Sequence, residues 1–274
     1  MKPMNRSRWR LAAGVCYYRW KRHVQWLLGQ KEYARKRQTE LLPYVHFQHR
    51  TILLRKLQDV EMWMQHNKVT NLRLAAQCLD GIVVQPGETF SYWRLIGKPT
   101  RQKGYLDGML LSHGRVLTGV GGGLCQLSNL LYWMTLHTTL SVTERHRHSY
   151  DVFPDANRTQ PFGSGATCFY NYLDLQIANR TSHAFQLHVY VTDTNLVGEW
   201  RSDMPPTRKY EIVEKEHTMQ PSLWGGYERT NQLYRHVYAL DGEWLQEEWI
   251  TENRAMMMYE PLLPEAVCRA SGQK

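Results

Sequence analysis

The chain has 274 residues, is 42% hydrophobic and 12% aromatic, and carries a formal net charge of +9. That length supports a full core in one large or two modest domains, and the apolar content excludes an intrinsically disordered chain. Residues 1–37 hold eleven Lys and Arg against one acid, Glu32, while the remainder has 23 basic and 24 acidic residues. A near-neutral body with a basic arm argues against a nucleic-acid-binding domain, so no nucleic-acid partner is expected.

Residues 1 to about 40 read as a basic helical arm in which Trp9, Leu11, Val15, Tyr17, Tyr18, Trp20, Val24, Trp26, Leu27 and Leu28 interleave with the cations. A basic, aromatic, amphipathic helix suits peripheral contact with an anionic membrane surface through residues 1–37. It equally suits a helix that covers the domain and turns its basic side to solvent. No run approaches the ~20 apolar residues of a transmembrane helix, and no secretory signal with a cleavage site is visible. The five cysteines (Cys16, Cys78, Cys125, Cys168, Cys268) show no paired or CxxC spacing, which fits a reducing compartment. The expected location is cytoplasmic, with the inner membrane face as a peripheral station.

Pro43 interrupts the arm. Leu53, Leu54, Leu57, Val60, Trp63 and Met64 then predict a second helix over 45–65. A third helix is predicted over 67–79, with Leu72, Ala75, Ala76 and Leu79 on one face and Asp80-Gly81 as its stop. Strands follow at 82–84 and 89–96, and a hairpin at 107–111 and 115–118 turns around Ser112-His113-Gly114. Beyond a helix starting at Cys125 come strands at 141–143, 166–178, 184–192 and 196–200, with a loop over 150–165. The last seventy residues continue in β, with a hairpin at Asp241-Gly242. The class is α+β: N-terminal helices, then a mainly antiparallel β region with an embedded cysteine-bearing helix. The organisation read from this pattern is a basic helical arm at 1–66, a core domain at 67–204, and a C-terminal β extension packed on the core at 205–274.

Gly119, Gly121, Gly122 and Gly123 run straight into Cys125, where helical periodicity begins. Leu127, Leu130, Leu131 and Met134 form one buried stripe. Cys125, Ser128, Asn129 and Tyr132 share another face. A thiol in the first turn of a helix lies at the positive end of the dipole, so its pKa is expected to fall. A glycine-rich loop before a buried helix also serves packing alone, and a small buried cysteine is ordinary.

Five motifs stand in one order: Pro86-Gly87-Glu88-Thr89-Phe90-Ser91, Gly104-Tyr105, Gly121-Gly122-Gly123-Leu124-Cys125-Gln126, Glu144-Arg145-His146-Arg147-His148-Ser149, and Asp174 to Asn179. Together they closely resemble the VanW family. The resemblance implies an accessory role in an inducible glycopeptide-resistance gene set, with no assigned biochemical activity. Many members look exported, a property that this chain, without a visible signal, takes over poorly.

The order cysteine, histidine, acid is that of papain-like and NlpC-type thiol enzymes, which suggests a papain-like or transglutaminase-like arrangement. In that scheme Cys125 is the nucleophile, His148 or His146 the general base, and Asp174 or Asp151 orients the imidazole. Gln126 and the first N–H groups of the helix would hold an oxyanion. Gly121, Gly122, Gly123, Ser128, Tyr105 and Glu144 would contact substrate, an amide or ester of a cell-wall peptide or its precursor. The two histidines would share a strand face, with Arg145 and Arg147 outward; alternatively the segment is an exposed basic strand end. No cofactor is expected. The alternative is zinc, held by His146, His148 and Cys125 or Cys168. The non-enzymatic alternative is a binding module for a peptidoglycan precursor or a partner protein, with the Gly–Cys–His region as a rigid pocket.

Overall fold

A computed structural model describes residues 8–55, 61–112, 114–153, 160–222 and 225–260. The expected contributions of Leu57, Val60, His113 and Cys268 lie outside the described residues. Helix α1 (Arg8–Leu28) opens the described chain. It docks through Arg22 and Trp26, both buried, and leaves Trp9, Trp20, Leu27 and Leu28 exposed.

The predicted helix over 45–65 is replaced by two elements. Strand β1 (Tyr44–Ile52) comes first, and helix α2 (Met62–Leu79) begins ten residues after its end. The residues that carry the helical period, Leu53 to Met64, all follow β1, so the period does not extend back over 45–52. Within β1, Tyr44, Val45, Phe47, Thr51 and Ile52 are aromatic or β-branched, which favours a pleated, half-buried strand. Helix α2 buries Met64, Lys68, Leu72, Ala75, Ala76 and Leu79, a stripe at i, i+3/i+4 spacing.

Strands β2 (Val83–Val84) and β3 (Thr89–Ser91) follow. The strand predicted over 89–96 stops early. Ser91 accepts from the Arg94 N–H at 3.4 Å and caps the short helix α3 (Tyr92–Ile96). The hairpin forms as expected from β4 (Asp107–Ser112) and β5 (Arg115–Val120). Helix α4 (Cys125–Leu136) starts at the expected cysteine, followed by β6 (Ser141–Glu144) and β7 (Tyr150–Asp151). Of the strand predicted over 166–178, only β8 (Gln176–Ala178) is extended ladder. Strands β9 (Phe185–Val191) and β10 (Asn195–Ser202) form the meander. The C-terminal strands are β11 (Arg208–Pro221), β12 (Tyr227–Ala239) and β13 (Trp244–Met257).

The fold is α+β and mainly antiparallel. One sheet runs β1-β10-β9-β2, a second β3-β8-β6, and a third β11-β12-β13-β7, with β7 parallel to the end of β13. Leu127, Leu130, Leu131 and Met134 of α4 join Leu72 and Leu79 of α2 and Phe185, Leu187 and Trp200 of the first sheet in one core. Burying each such leucine is worth about 1.5–3 kcal/mol. The Trp200 indole N–H donates to Thr135 Oγ1 at 3.2 Å, so the buried tryptophan ties the sheet to α4 with its polar edge satisfied.

Candidate functional site

The loop before α4 is shaped by close backbone crossings. A Cβ on Gly122 would lie 2.0 Å from the Gly108 carbonyl carbon, and one on Gly123 would lie 2.2 Å from Lys68 Cγ. Gly123 also has φ +90°, which side chains rarely adopt. Asn71 of α2 fastens the loop: its amide donates to the Gly122 carbonyl at 2.9 Å and the Leu106 carbonyl at 3.0 Å, and accepts from the Leu106 N–H at 2.8 Å. Lys68 is buried beneath the loop and donates to Gln65 Oε1 at 2.7 Å; burial, then the Arg55 charge, lower its pKa to about 8. Gly121, Gly122 and Gly123 therefore have a clear packing role.

Cys125 is half-buried at the first position of α4, with its sulfur 3.9 Å from the Cys168 carbonyl oxygen. Burial raises its thiol pKa, and the contact with that carbonyl only partly offsets the rise. The expected lowering by the helix dipole is thus overridden by desolvation. No hydrogen bond joins Cys125 to His146 or His148 among the described residues. Ser128 is fully buried and donates to the carbonyls of Ala166 at 2.6 Å and Cys125 at 3.1 Å. Gln126 donates to Thr51 Oγ1 and the Ile52 carbonyl, both at 2.9 Å, and so anchors α4 to β1. Tyr105 is buried, and burial raises its phenol pKa.

The acids belong to a buried polar cluster. Glu144 receives the Arg22 guanidinium in a fork, with Nη1 to Oε2 at 2.7 Å and Nη2 on Oε1. It also accepts from the Asp174 N–H at 3.2 Å and faces His146 Nε2 at 3.1 Å. Burial pushes its carboxyl up, but the His146 and Arg22 hydrogen bonds outweigh that and hold it at about 2. Asp174 is fully buried; it accepts from Ser91 Oγ at 2.5 Å and the Trp93 N–H at 2.9 Å. Burial raises its pKa to about 6, against the lowering by those donors. The Asp174 side chain thus holds the entrance of α3, and no hydrogen bond from it to an imidazole is present among the described residues. Asp151 accepts from Arg229 at 3.3 Å and Tyr259 at 2.8 Å.

Residues 145–148 lie beyond the end of β6, so strand alternation does not apply to them. Arg145, expected outward, stacks over the Tyr132 ring at 4.7 Å and donates to the Gly165 carbonyl at 2.9 Å and the Gly163 carbonyl. His148 is half-buried, and burial lowers its pKa. Among the described residues no three His, Cys, Asp or Glu side chains gather as a metal site requires, so His146, His148 and Cys168 are not brought together. Cys168 is buried, and burial followed by the Asp174 charge holds its thiol well above the ordinary value.

Arg22 and Asn71 were not singled out by the sequence pattern, and Ser91 stood in a motif without an assigned role. Arg22 sits among cations that all read as surface; its signal is its spacing four residues before Trp26, which places both on the docked face of α1.

The molecule is thus an α+β protein whose cysteine helix is braced by a glycine crossing and a buried arginine–carboxylate cluster. A family model described as VanW like protein matches residues 67–201. The chain is 34% identical over 235 residues to the vancomycin B-type resistance protein VanW of Enterococcus faecalis, covering 86% of this chain and 85% of that protein. It is also 38% identical over 82 residues to the uncharacterized protein YoaR of Bacillus subtilis, covering 30% of this chain and 27% of that one. The chain belongs to the VanW family. No solved structure gives a significant match.

Proposed function

We propose that this chain is an accessory protein of vancomycin resistance that holds a short cell-wall peptide or its precursor by binding rather than by thiol chemistry. Its similarity to the Enterococcus protein, over 85% of that protein's length, supports the resistance context. One observation carries the binding mode: a cleft of about 350 Å³ lined by Ser141 to Arg145 on one side and by Arg235 and Glu248 to Thr251 on the other. Among the described residues, β6 is the outer strand of its sheet, and β13 has a second neighbour, β7, only at Met256 and Met257. Unpaired strand edges along a cleft receive an extended peptide as an added strand, with main-chain hydrogen bonds for affinity. Trp249 lines the same cleft with 62% of its surface exposed, a ready platform for an apolar side chain.

Nucleophilic chemistry at Cys125 draws support from its place at the head of α4, but needs an imidazole within about 2.6–3.2 Å of the sulfur. Calorimetric titration of a synthetic cell-wall stem peptide separates the two. Wild type and Cys125→Ala should bind equally, and Trp249→Ala several-fold more weakly. Absence of binding by wild type, with Cys125 alkylated below pH 7 faster than exposed Cys16, overturns the binding mode in favour of a reactive thiol.

A further inference from the structure

A second pocket, of about 520 Å³, lies beneath α1 and is lined by His23 and Trp26 of that helix and by Arg35, Arg37, Arg94 and Tyr170 among others. It is far removed in chemistry from the peptide cleft. Its three arginines form no ion pair among the described residues. Arg94 donates to the Trp26 carbonyl at 3.0 Å and stacks over Tyr33 at 4.8 Å; Arg37 donates to the Cys78 carbonyl at 2.6 Å. Carbonyls and a ring orient these guanidinium groups without neutralising them. Burial, then the like charge of Arg35, lower the Arg94 pKa, the mark of cations crowded without a counter-charge. Trp26 is 8% exposed, and its indole N–H has no partner among the described residues.

The outer side of α1 adds a second observation. Trp9, Cys16, Trp20, Val24 and Leu27 recur at i, i+3/i+4 spacing on one stripe. Trp9, Trp20, Leu27 and Leu28 are 87%, 65%, 78% and 82% exposed, while the opposite side is pinned to the core by the Arg22–Glu144 fork. Lys21 lies on the flank of the stripe, and Leu27 and Leu28 directly follow the pocket residue Trp26. No described helix is long and apolar enough to cross a membrane. Such a helix lies in the plane of an anionic interface, apolar side down and cations toward the headgroups.

We propose that this pocket holds the phosphate-bearing headgroup of an anionic membrane lipid, with the outer stripe of α1 seated in the bilayer surface. Arg35, Arg37 and Arg94 would supply charge-assisted donors to the phosphate oxygens. Vesicle co-sedimentation of the full chain tests it, with phosphatidylglycerol–phosphatidylcholine vesicles against pure phosphatidylcholine. Wild type should bind the anionic vesicles at least ten-fold better than the neutral ones. Arg35→Gln/Arg37→Gln, at exposed positions, should lose most of that preference, and Trp20→Ser/Leu27→Ser should lose binding to both, each melting as wild type does. Equal binding of wild type to both vesicles overturns the headgroup pocket, and unchanged binding by either double variant overturns the part it probes. Thermal stabilisation by inorganic phosphate without vesicle binding identifies a free-phosphate site and overturns the lipid. A fold lost in the arginine pair is bypassed by Lys21→Glu, which should weaken anionic-vesicle binding alone; no change in it, too, counts against the proposal.

Discussion

The head of α4 and the pocket beneath α1 treat their polar groups in opposite ways. Around Cys125, the polar side chains of Asn71, Gln126, Ser128, Asp174 and Glu144 are committed to bonds that hold elements together. Beneath α1, three guanidinium groups line a pocket to which no carboxylate contributes among the described residues, and a buried indole N–H has no partner among them. The segment most conspicuous in sequence has these polar groups in internal bonds, and the segment with no motif carries cations without an ion pair among the described residues. Satisfied polar groups make a rigid fold; unsatisfied ones leave something for an outside molecule to contribute.

The sharpest way to break this contrast is at the glycine crossing. Gly122→Ala puts a methyl against a backbone carbonyl 2.0 Å away, and neither strand of the crossing has a side chain to move. A loss of roughly 3–5 kcal/mol is expected, read as a melting temperature lowered by about 10 °C or more. Gly87→Ala is the control, since a Cβ there meets nothing within 4 Å and only its φ of +84° is strained; about 1–2 kcal/mol should be lost. Equal melting of the two variants would show that the crossing is not tight. Next in size is Glu144→Ala, which leaves Arg22 buried without its partner and should cost about 3 kcal/mol. In a double-mutant cycle with Arg22→Met, urea unfolding should show strong coupling, and simple additivity would mean that the fork does not pin α1.

What could be read from sequence tracks the distance over which the physics acts. The start of α4 was legible because a glycine run and a 3.6-residue period meet at Cys125, and the last hairpin because Asp241-Gly242 fits a tight turn. Strand β1 was hidden because the helical period rests on residues 53–64, all beyond its end, and was extended back over it. The orientation of Arg145 was misread because alternation was extended past the end of β6. Glu144 was noticed for its motif, but its partner Arg22 lies 122 positions away, and Ser91 lies 83 positions from Asp174. No local pattern carries such pairings; only the fold brings them together.

The two carboxyls of this cluster should give opposite pH signatures, which sharpens the comparison. Asp174 has its pKa raised to about 6 from 3.8, so the folded state favours its protonated form. Its contribution is fully present below the unfolded value and is lost as pH rises through about 6. Glu144 is held at about 2, below 4.5, so its contribution is present above the unfolded value and is lost as pH falls toward 2. Urea unfolding from pH 3 to 8 should show Asp174→Asn gaining on wild type between pH 4 and 6, by up to about 3 kcal/mol. Parallel pH profiles for the two would remove Asp174 from the linkage.

The smallest effect is expected at the residue that first draws the eye. Cys125→Ala removes one sulfur from a half-buried position whose only hydrogen bond among the described residues is a long one, 3.9 Å to the Cys168 carbonyl. Stability should fall by about 1 kcal/mol or less, well below the loss from Gly122→Ala on the same loop. Because burial raises the thiol pKa, iodoacetamide at pH 7 should modify exposed Cys16 before Cys125. Cys125→Ala should keep the stem-peptide affinity of wild type, whereas Trp249→Ala should lose part of it. A reversal of that order, with Cys125 reacting first and its alanine variant losing affinity, would make the head of α4 the working site and return the cleft to scaffold.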